Sequence, residues 1–124
     1  MRPIALTAAG ALAVALLLPL ARPAQAQFGA IAYDGKTGSY GGVANRPTPK
    51  AAIEGALGKC RTSGCRVVVR VGPKACGAFA STKDHKGVGA AARPAREEAR
   101  SAALKDCEKS KAGQCIVRGS FCNR

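Results

Sequence analysis

The chain has 124 residues, with 20 basic residues against 7 acidic, a formal net charge of +13, six cysteines, one histidine and no tryptophan. A chain of this length holds one small domain rather than several. With 2 tyrosines and 3 phenylalanines it lacks the aromatic supply of a base-stacking nucleic-acid surface, and so few acids leave little for hydrolysis by paired carboxylates.

Arg2 is followed by a mainly apolar run over residues 4–20 and then by Ala24-Gln25-Ala26. A charged start, a hydrophobic segment and a small-x-small site mark an export leader, cleaved after Ala26. An uncleaved membrane anchor is the competing reading, but the run is short for a span and is interrupted by Thr7, Gly10 and Pro19. No cysteine follows the site and no second apolar span occurs. The mature part, residues 27–124, is therefore expected as a single secreted or extracytoplasmic domain at the cell envelope, without a transmembrane segment. Loss of Arg2 and Arg22 with the leader leaves 18 basic residues against 7 acidic, a formal charge of +11.

Phe28–Tyr33 reads as a strand, and residues 34–38, Asp-Gly-Lys-Thr-Gly, as a turn. A return strand over residues 39–44 contains Gly41-Gly42, which suits a bulge or a close backbone approach. Thr48 is placed to cap a helix and Pro49 to begin it. Ala52, Ile53, Ala56, Leu57 and Cys60 then form one apolar stripe of period 3.6. From Cys65 the period changes to two, which puts Cys65, Val67, Val69 and Val71 on one strand face, with Arg66, Val68 and Arg70 on the other. The scheme then returns: strand 77–81, turn 82–86, strand 88–92, helix 95–105 and strand 116–121. Glu97 and Glu98 at the start of the second helix, with Lys105 and Lys109 near its end, suit the helix dipole.

The return has a fixed offset. Arg46-Pro47 answers to Arg93-Pro94, Ala52 to Ala99, Ala56-Leu57 to Ala103-Leu104 and Cys60 to Cys107, all 47 positions on. This is an internal duplication, with copies over residues 28–75 and 76–122 that pack on each other as one domain. The fold class expected is α+β: a duplicated β-β-α-β unit, a mostly antiparallel sheet with two helices on one face, stapled by disulfides.

An even cysteine count in a short exported chain points to disulfides, of which six cysteines allow fifteen pairings. A zinc site competes only weakly, given C-x4-C and C-x7-C spacings and a lone His85. The duplication suggests that Cys60 bonds Cys65 and Cys107 bonds Cys115, each stapling a helix to the next strand. Cys76 and Cys122, one at the end of each copy, would then bond and join the halves. A core built largely from alanine and valine would be marginal without these bonds.

Several of these segments together resemble a known family. They are Phe28-Gly-Ala-Ile-Ala-Tyr33, Ser39-Tyr40-Gly41, the helix ending in Cys60, Cys65-Arg66-Val67-Val68-Val69 and Cys76-Gly77-Ala78-Phe79-Ala80. The combination is similar to the bacterial domain of unknown function numbered 4189, over essentially all of the mature chain. The resemblance implies an exported protein and a shared fold, and supplies no catalytic residues. Family members often carry tryptophans in the return strand and near the final cysteine; this chain has none and is unusually basic.

No catalytic constellation stands out. His85 lies in a turn beside Asp84 and Lys86, without a second partner in the sequence pattern. The serines lack a nucleophile-elbow context, and adjacent Glu97 and Glu98 diverge on a helix. No catalytic, metal-binding or cofactor-binding residue is assigned, and no enzyme is expected. The positive charge is the functional cue, since it favours anionic lipids, phosphate-rich wall polymers or an acidic protein partner over specific nucleic acid. Arg66, Arg70 and Arg118 are the expected anion contacts. A secreted effector or inhibitor with one protein target is the alternative, and a hydrolase using His85 the third.

Overall fold

The structure, a computed structural model, describes residues 10, 11, 13 and 25–124. The leader expectation falls mainly outside these residues. Six strands and two helices follow in the order β1 (Phe28–Tyr33), β2 (Tyr40–Arg46), α1 (Pro49–Cys60), β3 (Arg66–Val71), β4 (Cys76–Thr82), β5 (Val88–Arg93), α2 (Arg96–Glu108) and β6 (Cys115–Cys122). The order β-β-α-β thus occurs twice, and element ends lie within a few residues of the expected ones.

Local chemistry explains the helix ends. The Thr48 hydroxyl accepts from the Ala51 N–H at 3.0 Å, and Pro49 occupies the first turn, where its missing donor costs nothing. Arg61 closes α1 in the left-handed region at φ 68°, with its N–H on the Leu57 carbonyl. Helix α2 has no side-chain cap and starts with Glu97 and Glu98 in its first turn. Both helices bury the same stripe: Ala52, Ala56 and Cys60 in α1, and Ala99, Ala103 and Cys107 in α2.

The α+β class and the antiparallel pairing are as expected, but the layering is not. The strands form two three-stranded sheets, β2-β1-β3 and β5-β4-β6, rather than one. Helix α1 packs on the first sheet and α2 on the second, so the helices do not share a face. The reason lies in the other face of each sheet. Ile31, Tyr33 and Phe79 are apolar and point away from the helices, where only the opposite sheet can cover them. Tyr33 and Phe79 meet with ring centroids 4.9 Å apart. β1 lies against β4, β2 against β6 and β3 against β5, an exchange expected of two like units facing each other.

Alternation along β3 also differs from expectation. Ile31 pairs with Val69 and Ala32 with Val67, which leaves Val68 as an extra, bulged residue. Val67 therefore joins the helix-side core, whereas Val68 and Val69 both turn to the opposite sheet. The same irregularity recurs in β6, where Phe79 pairs with Gly119 and Ala80 with Val117, so Arg118 is the bulged residue.

Three disulfides join Cys60 to Cys65, Cys107 to Cys115 and Cys76 to Cys122. The third does not join the halves. Cys76 opens β4 and stands opposite Cys122 on β6, so the bond is a cross-strand link within the second sheet. The halves are tied instead by the core between the sheets and by a polar clasp. Buried Asn123 donates from Nδ2 to the Val71 and Gly72 carbonyls at 3.1 and 2.8 Å. Its Oδ1 accepts the Asn45 N–H at 2.9 Å, and the Asn45 side chain accepts the Arg124 N–H at 2.8 Å.

Candidate functional site

The bulges decide where the expected contact arginines go. Arg66 stands opposite Tyr33 and Arg70 opposite Ala30. Tyr33 faces the second sheet and Ala30 faces α1, so the extra residue at Val68 sends the two arginines to opposite faces. Both are exposed, and among the described residues neither makes an ion pair or a side-chain hydrogen bond. Arg70 borders a depression of about 220 Å³ with Phe28 and Pro49. Arg66 borders two, one of about 510 Å³ with Asp34 and Thr62 and one of about 360 Å³ with Val68 and Val88.

Arg118 is placed differently. As the bulged residue it is half-buried, and its Nε donates to Ser81 Oγ at 2.9 Å and its Nη2 to the Thr82 carbonyl at 3.4 Å. Its carbonyl accepts the Tyr40 hydroxyl at 3.3 Å. The structure therefore does not gather the three arginines into one patch. Arg66 and Arg70 are free on one edge strand, and Arg118 holds the second sheet together.

The polar end beside Arg66 is structural. Asp34 is buried and accepts Thr62 Oγ1 at 2.5 Å and the Lys36 N–H at 2.9 Å. The Thr62 hydroxyl first, and then the Lys36 amide, hold its carboxyl below the usual 3.8. Asp84 is lowered likewise by the Thr82 hydroxyl at 2.7 Å and the Lys86 N–H at 3.1 Å. Burial pushes the Tyr33 phenol up, against the pull of Arg118. The Tyr33 hydroxyl donates to the His85 carbonyl at 3.0 Å. The His85 ring lies against Gly38, where a Cβ would have no room, and its buried Nδ1 has no partner. The imidazole thus acts as packing between two turns.

Both aspartates have a lower pKa folded than unfolded. Their stabilisation is fully present above the unfolded value and is lost as pH falls through the folded one. Asp34→Asn is expected to flatten the fall of Tm below about pH 4. Thermal melts across that range check it, and an acid limb identical to that of the parent counts against this role.

Three of the five remaining acids also have partners. Asp106 Oδ2 accepts the Ala90 N–H at 3.2 Å on the outer strand β5. Glu54 and Glu97 form exposed ion pairs at 4.0 Å with Lys50 and Arg100 within their own helices, contacts of small energy. A groove of about 820 Å³ between β5 and α2 carries both signs, lined by Glu97, Glu98 and Asp106 and by Arg93, Lys105 and Lys109. Among the described residues no group of three His, Cys, Asp or Glu side chains is placed to hold a metal ion, and no helix is long and apolar enough to cross a membrane.

Sequence periodicity missed Tyr40, Asn45 and Asn123, whose roles are long-range hydrogen bonds. Asn45 carried a weak signal, since it stands before Arg46-Pro47 and takes φ 58°, a conformation asparagine tolerates well.

Fold and site define a class: a small α+β domain of two β-β-α-β units, stapled by three disulfides, with unpaired arginines on an edge strand. The chain belongs to the family described as Domain of unknown function (DUF4189), whose model matches residues 28–122. No curated protein and no solved structure matches the chain.

Proposed function

We propose that this protein is an exported, non-enzymatic domain that binds an anionic partner at the cell envelope. Its two units derive from a duplicated ancestor and work as one domain over residues 27–124. The observation that carries this reading is uncompensated charge. The mature chain has 18 basic residues against 7 acidic, and Asp34, Asp84 and Asp106 are committed to hydrogen bonds inside the fold. A surface with such an excess attracts polyanions over several ångströms in dilute salt. Three disulfides suit an oxidising compartment, and the leader-like start of the chain agrees. His85 is taken up in packing, which supports a binding role over hydrolysis.

The oxidised mature domain is expected to be retained on phosphate-rich wall polymer or anionic vesicles at low salt and to elute as salt rises. Arg66→Gln with Arg70→Gln is expected to elute at lower salt than the parent. A parent domain that passes straight through at low salt would sink the proposal.

A further inference from the structure

Each sheet has one edge strand on which its helix packs least. In the first it is β3, and in the second it is the equivalent strand β6. The two edges are finished differently. On β6, the Arg118 carbonyl accepts the Tyr40 hydroxyl and the Ser120 carbonyl accepts Arg96 Nη1, each at 3.3 Å. Among the described residues, no side chain bonds the backbone of residues 66–70 on β3. The Val67, Val68 and Val69 side chains there are only half-buried. The bulge at Val68 interrupts this edge, but the backbone groups of residues 66–70 that face away from β1 have no partner among the described residues and can receive another β-branched strand.

Charge narrows what that strand can be. Two copies paired through β3 would bring four arginines, Arg66 and Arg70 of each chain, to one seam of an already basic protein, and charges of one sign repel. The same two guanidiniums, exposed and unpaired, favour a strand bearing carboxylates at those positions. We propose that β3 receives an extended acidic segment of a partner protein as a fourth strand of the first sheet. This inference rests on the anionic-partner reading above and names the form the partner takes.

The register sets the spacing. Arg66 and Arg70 span five residues of β3 but stand opposite Tyr33 and Ala30, which span four of β1. A regular strand on the outer side meets the same bulged span, so its two carboxylates stand three residues apart, one on each face. The shallow depression between Val68 and Val88, which Arg66 and Asp106 also line, takes a short side chain lying between them; its one acid, Asp106, is held by the Ala90 N–H. Backbone hydrogen bonds would supply affinity and the two ion pairs would supply choice of partner.

The probe is a fluorescent peptide with two glutamates three residues apart and valine and threonine elsewhere, titrated into the oxidised mature protein at low salt. A second peptide carries the same side chains but is N-methylated on the backbone amides that would pair. Binding of the first peptide is expected, with amide exchange slowed at those residues of 66–70 on β3 whose N–H groups do not pair with β1. N-methylation, and Arg66→Glu with Arg70→Glu, are each expected to weaken binding by about tenfold or more. Equal affinity for the N-methylated peptide, or binding without slowed exchange on β3, overturns strand addition in favour of charge alone. No peptide binding alongside retention on wall polymer overturns strand addition and leaves the anionic-partner reading intact. Failure of both removes both.

Discussion

Replacing Cys76 and Cys122 together with alanine is expected to lower the free energy of unfolding by roughly 4 kcal/mol in the chain-entropy model, against about 2 kcal/mol for removal of the Cys60 to Cys65 bond. The bonds close loops with sequence separations of 46 and 5, and loop entropy grows with length. The longer bond also ties the first strand of the second unit to its last, so its loss loosens one end of the β4–β6 ladder. Denaturant melts of the two double variants check the order. A larger loss from the short-loop pair would mean that local geometry at the end of α1, rather than chain entropy, dominates.

Gly89→Val is expected to cost more than about 3 kcal/mol, beyond the usual range for overpacking, because the clash is with backbone. The backbone of β5 runs so close to α2 that a Cβ at Gly89 would overlap the Cys107 nitrogen and the Ala103 carbonyl. Gly41 holds the equivalent place on β2, where a Cβ would lie 2.5 Å from the Cys60 nitrogen and 2.7 Å from the Ala56 carbonyl. Neither helix backbone can give way without leaving its sheet, so Gly41→Val should behave alike. Gly58→Ala serves as the control, since nothing lies within 4 Å of a Cβ there. It is expected to leave stability unchanged or raise it slightly by restricting the unfolded chain. Urea melts compare the three, and a Gly89→Val protein as stable as its parent would contradict the close packing of β5 on α2.

These glycines show what could be read without coordinates. The Gly41-Gly42 step in a return strand signalled a close backbone approach, and helix α1 supplies it. The alanine stripes ending in Cys60 and Cys107 named the buried faces of both helices, because a period of 3.6 is a local property. Arg118 was not legible. In sequence it is one more basic residue of a strand, and only the bulge beside Gly119 turns it inward to Ser81 and Thr82.

The amino-acid order by itself determined the succession of elements, the membership of the helix cores, the cysteine positions and the excess of positive charge. Each follows from period, spacing or composition within a short window. Only the tertiary structure decided that six strands make two facing sheets, that Cys76 and Cys122 link strands of one unit, and that Arg66 and Arg70 stand on opposite faces of an open edge. Those outcomes depend on register between distant strands. One bulged residue reverses the facing of every side chain beyond it, and nothing local to that residue announces it.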